Sequence, residues 1–282
     1  MQCVNPVKIV KNIVNHAGIV TGVNTLEVPC GRCIACRLNY ANSWSTRIVC
    51  EAKQWKFASF VTLTYNDENL PFNEKGNPTL VKKHCQDFFK RVRKVIKFRY
   101  YLGGEYGDLG RRPHYHFCAF SNDPSIVDIN FWQKHWRVGF CYVGTLTRNS
   151  ANYVAKYCTK KLGGKLSHYY DEQGIEPEFA LMSRRPGIGY DYIMKFKNMV
   201  KNNGFVVVDG KKQSIPKYFG SRIFDDDEKA QRFVEKSIDK NNQIFDRVGG
   251  QFANIYQVMD FEKQENNQRK INILSRTRRK KL

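Results

Sequence analysis

RYYLGGEYGDLGRRPHYHFCAFS, residues 99–121, reads as two strands, Arg99 to Glu105 and Pro113 to Phe120, around the loop YGDLGRR. Apolar and aromatic residues fill both runs, and the glycines and charges between them suit a connection between antiparallel neighbours. Strand alternation points the imidazoles of His114 and His116 to one face and Tyr115 to the other. Upstream, FASFVTLTY (57–65) is β-branched and aromatic and is followed by the turn-prone NDENLP, which predicts a further buried strand. Residues 79–97 place Val81, Cys85, Phe88, Val92 and Val95 three or four apart among lysines and arginines, as in a long helix with one packing stripe and a basic remainder. Downstream come a short helix around Phe131 to His135, a strand from Val138 to Leu146, and the helical ANYVAKYCTKKL (151–162), with Ser150 as N-cap and Gly163-Gly164 as its stop. The order β, α, β, β, α, β, α predicts an α+β domain built on a central antiparallel sheet, with flanking helices on one face.

This core is expected to span residues 51–165. Residues 1–50 read as a cysteine-rich N-terminal appendage, with two short strands, Val7 to Val14 and Gly18 to Val23, leading into the cysteines. Residues 166–282 read as a C-terminal extension in which DDDEKAQRFVEKSIDK (225–240) has helical character with acids at its positive end. The last seventeen residues carry seven Lys or Arg and no acid, as expected of a basic tail that touches nucleic acid.

With 47 Lys and Arg against 26 Asp and Glu, the net charge of +21 favours a polyanionic partner, above all nucleic acid, over a membrane surface. No run approaches the roughly 18 apolar residues that span a bilayer, and the start MQCVNPVKIVKNIVNHAGIV lacks the apolar core of a signal peptide. A reducing cytoplasm is the expected compartment. Structural disulfides are not expected among the nine cysteines, because Cys30, Cys33 and Cys36 have the spacing of metal thiolates.

Two imidazoles on one strand face can hold one divalent ion, and the hairpin can bring the Glu105 carboxylate beside them as a third ligand. Such an ion, Mg²⁺ or Mn²⁺, neutralises charge on a phosphodiester under attack. Tyr153 and Tyr157, spaced i, i+4, present two hydroxyls from one side of a helix. Lys156 and Lys160, each three residues further on, can favour a phenolate or hold the scissile phosphate. The same spacings also fit ordinary packing of aromatics and solvated lysines. Three thiolates fall one short of a closed zinc site. Cys3, brought back by the first hairpin, is the expected fourth ligand, ahead of Cys50; metal-free thiols and an iron–sulfur cluster are the other readings. Zinc here would staple the appendage to the sheet. For binding, the basic helix face, Arg111, Arg112 and the tail form the expected electrostatic footprint, with Tyr65, Tyr106 and Trp136 as candidates for stacking on bases.

FVTLTY (60–65), GEYG (104–107) with RPHYHF (112–117), and YVAKYCTKK (153–161) together resemble the three ordered motifs of HUH replication initiators. PCGRCIACR (29–37) and SRRPGIGYDY (183–192) are similar to the initiators of small single-stranded DNA bacteriophages, the microviruses, and in particular their gokushovirus branch. The resemblance implies an HUH, Rep-like fold with a ferredoxin-like or RRM-like core. It implies that His114, His116 and Glu105 hold the metal, that Tyr153 and Tyr157 are paired nucleophiles, and that Lys156 and Lys160 are basic positions of the third motif. The implied activity is rolling-circle initiation. Origin single-stranded DNA is nicked through a 5′-phosphotyrosine intermediate, a 3′-hydroxyl is left for a polymerase, and the displaced strand is rejoined into a circle. The implied partners are single-stranded DNA, covalently held, and the host helicase and polymerase, in the cytoplasm of an infected bacterium. From another class, a non-enzymatic zinc-stapled nucleic-acid binder is the competing reading; a transposase or plasmid relaxase would share the chemistry.

Overall fold

The computed structural model describes residues 3, 5–14, 20–107, 110–157, 168–229, 231–232, 264, 265 and 268. Contacts divide the chain into two compact units, residues 1–39 with 224–282, and residues 40–223. In the first, β1 (Val7–Val14) and β2 (Val20–Val28) pair antiparallel, from Val7 opposite Val28 to Val14 opposite Val20. The basic tail lies largely outside the described residues, as does most of the helix expected over 225–240, of which only short helical pieces at 226–229 and 231–232 are described.

Next along the chain is α1 (Ile34–Ala52), a 19-residue helix where the sequence reading saw only a cysteine run. Its buried positions include Ser45, Thr46, Arg47 and Glu51, so an apolar period is hard to see there. Each buried charge on it has found a partner. Arg47 lies between the Trp44 and Tyr218 rings, 3.9 and 4.1 Å from their centroids, and donates to the Ile188 carbonyl; burial lowers its pKa to about 10. Glu51 accepts from Arg99 at 2.6 Å and from the Gly189 amide at 2.6 Å. That contact explains SRRPGIGYDY: Gly189 has φ 79, and a Cβ there would stand 2.7 Å from the Phe219 ring and 3.0 Å from the Arg47 carbonyl.

The central sheet consists of β3 (Phe57–Tyr65), β4 (Arg99–Tyr106), β5 (Pro113–Ser121), β6 (Gly139–Thr145) and β7 (Phe179–Met182). Their order is β6-β3-β5-β4-β7, and every neighbouring pair is antiparallel. The fold is thus α+β, as expected. The fifth strand, FALM, comes from the segment read as a C-terminal extension and pairs with β4 through Tyr101 to Gly104.

The two faces of the sheet differ sharply in chemistry. On one, Val61, Leu63, Tyr65, Leu102, Tyr115 and Phe117 form the core with Cys85, Phe88, Phe89 and Val92 of α2 (Lys82–Arg93) and Trp132 of α3 (Ile129–His135). Full burial of one such side chain contributes roughly 1.5–3 kcal/mol, so this aromatic layer fixes the register of the strands. The opposite face carries Tyr101, His114, His116 and Cys118. It is covered by Trp44 of α1, whose ring lies 4.8 Å from that of Tyr101, and by α4 (Arg148–Tyr157), which packs on β4 and β5. Helices therefore flank both faces rather than the one face expected. The helix reading missed this because α4 and α1 meet the sheet through small or polar residues: Ala151 and Ala155 are fully buried, and the Ser45 hydroxyl donates to the Arg148 carbonyl.

No helix among the described residues is long and apolar enough to cross a membrane. Among those residues every cysteine is a free thiol.

Candidate active site

β4 and β5 place Glu105 directly opposite His114 and Gly103 opposite His116, while β3 sets Thr62 opposite His116 on the other side. Residues paired in this way share a face, so the expected hairpin geometry does bring the carboxylate and both imidazoles together. The His114 and His116 rings are nearly parallel, with an interplanar angle of 6° and centroids 6.3 Å apart. His116 is 7% exposed and Glu105 4%. His116 Nε2 donates to Glu105 Oε1 at 3.0 Å, and Nδ1 contacts the Thr62 hydroxyl at 2.9 Å. His114 donates from Nδ1 to the Arg112 carbonyl at 2.7 Å. Burial, reinforced by the neighbouring His116, holds the His114 pKa below the usual histidine range, which favours the neutral, ligating ring.

These bonds suit a metal site in donor type and orientation. A ligating histidine commonly anchors its second ring nitrogen on a carbonyl or hydroxyl, as both do here, and two imidazoles with one carboxylate leave coordination positions open. Among the described residues only the N-terminal cysteine group has its ligand atoms all within 4.8 Å of one another; the two histidines and Glu105 are not drawn that close. Glu105 instead holds the His116 proton.

Above His116 stands Tyr153, carried by α4. This helix begins at Arg148, two residues before the expected start, because Thr147 and Ser150 form a reciprocal cap: the Thr147 amide donates to Ser150 Oγ and the Ser150 amide to Thr147 Oγ1. Ser150 is thus the third residue of the helix and not its N-cap. Ala151, Val154 and Ala155 bury one stripe, and Tyr153, beside that stripe, lies edge-on to the His116 ring with centroids 5.1 Å apart. Tyr153 is 45% exposed. Lys156 is exposed one turn further on. Tyr157 ends the helix, but its side chain and all of Lys160 lie outside the described residues.

A cleft of about 420 Å³ opens over this arrangement, lined by Phe60, Thr62, His116, Tyr142, Asn149, Ser150 and Tyr153. Phe60 stacks against His116 with centroids 5.8 Å apart. Neither Phe60 nor the orienting Thr62 stood out in the sequence, although both lie in FVTLTY on the same alternation as the histidines' partners.

Several expected DNA contacts are corrected. Tyr65, Tyr106 and Trp136 are buried and cannot stack on bases. The Tyr65 hydroxyl bonds to His84 and Tyr115, that of Tyr106 donates to the Glu176 carbonyl, and the Trp136 indole donates to the Thr64 carbonyl. Arg112 bridges Asp67 and the Tyr65 carbonyl, both at 2.7 Å, so it braces β3 against β5. The basic side of α2 belongs to the layer opposite the histidine face. The exposed aromatics are Phe140 and Tyr142, 64% and 62% accessible on the edge strand β6, opposite Thr64 and Thr62 respectively.

The family model for replication-associated proteins of the ORF2 type matches residues 58–162, which hold Thr62, Glu105, both histidines, both tyrosines and both lysines. "Replication-associated protein ORF2" of Spiroplasma virus 4 is 36% identical over 221 residues, covering 70% of this chain and 68% of that protein. The chain belongs to the phage replication-associated protein family. Further members are similar along much of the chain. "Replication-associated protein VP4" of Bdellovibrio phage phiMH2K is 29% identical over 253 residues, with 78% and 76% coverage, and "Replication-associated protein ORF4" of Chlamydia phage 1 is 24% identical over 220 residues, with 69% and 53%. No solved structure matches this replication-associated protein. A role in phage DNA replication follows from the membership.

Proposed function

We propose that this replication-associated protein initiates rolling-circle replication by nicking single-stranded DNA at the origin, with Tyr153 and Tyr157 as nucleophiles. The observation that carries the reading is the placement of the Tyr153 ring 5.1 Å from the His116 ring, on the sheet face that also holds Glu105 and His114. In the cleavage step the tyrosine hydroxyl gives up its proton and its oxygen attacks phosphorus. The bond from phosphorus to the 3′-oxygen breaks, and that oxygen takes up a proton to become the 3′-hydroxyl that a host polymerase extends. The 5′-phosphate stays on tyrosine, so bond energy is retained and no nucleotide is consumed. Attack of a later 3′-hydroxyl on the phosphotyrosine reverses the step and closes a circle, with the second tyrosine cutting the strand after one round.

His114, His116 and Glu105 would hold a Mg²⁺ or Mn²⁺ ion, whose chemistry is to neutralise charge on the non-bridging phosphate oxygens. Thr62 and the Arg112 carbonyl hold the two imidazoles in place. Lys156 and Lys160 extend positive charge along α4 for the scissile phosphate. Single-stranded DNA would lie along the β6 edge of the cleft, where the exposed Tyr142 and Phe140 can stack on bases.

The test is covalent capture. Purified protein, labelled origin single-stranded DNA and Mg²⁺ or Mn²⁺ are expected to give an adduct that survives denaturing electrophoresis and disappears on protease treatment. DNA binding with no adduct under either ion would leave the non-enzymatic nucleic-acid binder in place of the enzyme. The stacking edge is tested by Tyr142→Ala, which is expected to weaken single-strand affinity by about 1–3 kcal/mol at fixed salt, read by fluorescence anisotropy. Unchanged affinity would remove β6 from the DNA path.

A further inference from the structure

The chemistry above makes no use of the cysteines at the start of the chain. Cys3, Cys30, Cys33 and Cys36 bring their sulfurs within 4.8 Å of one another. Cys3 Sγ lies 3.5 Å from Cys30 Sγ and 3.8 Å from Cys33 Sγ. Disulfide sulfurs would be about 2.05 Å apart, so these are not bonded pairs. Four sulfurs placed tetrahedrally at zinc–sulfur distances of about 2.3 Å would stand about 3.8 Å apart, which is the separation seen. An iron–sulfur cluster puts iron and sulfide between its thiolates and needs them further apart.

Local backbone favours sulfur anions at these positions. The Cys30 amide donates to Cys3 Sγ and the Cys33 amide to Cys30 Sγ, both at 3.3 Å, and the Cys36 amide donates to Cys33 Sγ at 3.5 Å. A hydrogen bond to the charged form stabilises it. Cys33 and Cys36 also flank the start of α1, where the helix dipole favours negative charge. Gly31, at φ 72, provides the tight turn between Cys30 and Cys33. Cys50, the other candidate for fourth ligand, is fully buried in α1, and burial pushes its thiol up to about 12.

We propose that Cys3, Cys30, Cys33 and Cys36 form a closed four-thiolate zinc site that ties residue 3 and the end of the β1–β2 hairpin to the first turn of α1. The four thiols release four protons as Zn²⁺ binds, leaving a net charge of −2 on the site. With four protein ligands no position remains for water or substrate, so the site is structural. Its donors are soft and tetrahedrally arranged, which selects zinc over Mg²⁺ or Mn²⁺.

The experiment measures metal in the full-length chain, purified untagged in reductant without chelator. About one equivalent of zinc per chain is expected by mass spectrometry of the metal. Exchange for Co²⁺ is expected to give the intense visible bands and thiolate charge transfer of a tetrahedral four-sulfur centre. Cys3→Ser is expected to lose the zinc, whereas Cys50→Ser keeps it. Iron in place of zinc, full zinc retention by Cys3→Ser, or an unmodified protein that carries no zinc and gives no cobalt bands would each overturn the proposal. The cobalt spectrum of the unmodified protein decides the matter even if Cys3→Ser does not fold. None of these measurements depends on nicking activity.

Discussion

In the Tyr153→Phe, Tyr157→Phe double variant, covalent adduct on origin single-stranded DNA is expected to fall to background, a loss on the order of 10⁴-fold or more, the scale on which deletion of a nucleophile is felt. The substitution is narrow. Phenylalanine keeps the ring that packs edge-on to His116 and lies 6.2 Å from Phe60, so only the oxygen is removed. Helix α4 is anchored by the Thr147–Ser150 cap and by Ala151, Val154 and Ala155, none of which changes. Single-strand affinity and thermal stability should therefore stay near those of the parent. The single variants separate the two hydroxyls. Tyr153→Phe should lose first-strand cleavage if Tyr153 starts the reaction, and should lose only circle release if Tyr157 does. Wild-type levels of adduct in the double variant, quantified on denaturing gels beside anisotropy measurements of binding, would place the nucleophile elsewhere.

The hairpin at the centre of this site could be read from sequence because its two signals are local. Alternation fixes the face on which His114 and His116 lie, and the loop between Tyr106 and Pro113 fixes the pairing that sets Glu105 opposite His114. What was not legible depends on distant partners. Helix α1 escaped because Arg47 and Glu51 are buried by partners some 140 positions away, at Ile188 and Gly189. Strand β7 is only FALM, and its neighbour β4 lies about 80 residues upstream. The stacking aromatics were misassigned for a related reason. Tyr65 and Tyr142 both sit in aromatic strands of similar composition, but Tyr65 faces α2 and the core, whereas Tyr142 faces the cleft on an edge strand. Composition does not record that difference. Arg112 likewise reads as a free loop cation until Asp67 and the Tyr65 carbonyl are placed beside it.

Loss of His116 is expected to abolish cleavage through two effects that a pair of variants can separate. In His116→Ala the Glu105 carboxylate, 4% exposed, loses the imidazole it accepts from, and removing a hydrogen-bond donor from a buried acceptor costs about 1–3 kcal/mol of stability. The Phe60 and Tyr153 rings also lose the surface they pack on. His116→Gln retains an N–H donor for Glu105 and most of the volume, so its stability in urea denaturation should stay closer to the parent, but it supplies no imidazole lone pair for a metal. Both variants should lose adduct formation by well over the roughly 10–100-fold that follows removal of an outer-shell partner. Thr62→Val, which removes only the hydroxyl against His116 Nδ1, should fall within that smaller range. His114→Ala should match His116→Gln in lost cleavage with little loss of stability, because its ring bonds the Arg112 carbonyl two residues back and braces no distant element. The ordering matters more than any one value. If stability alone governed activity, Gln would outperform Ala and Thr62→Val would be silent; if the imidazoles act as ligands, Gln and Ala fail alike and raising Mn²⁺ concentration rescues Thr62→Val before either. Cleavage at wild-type rate by His116→Gln would remove the metal from the site and leave His116 as a packing residue beneath Tyr153.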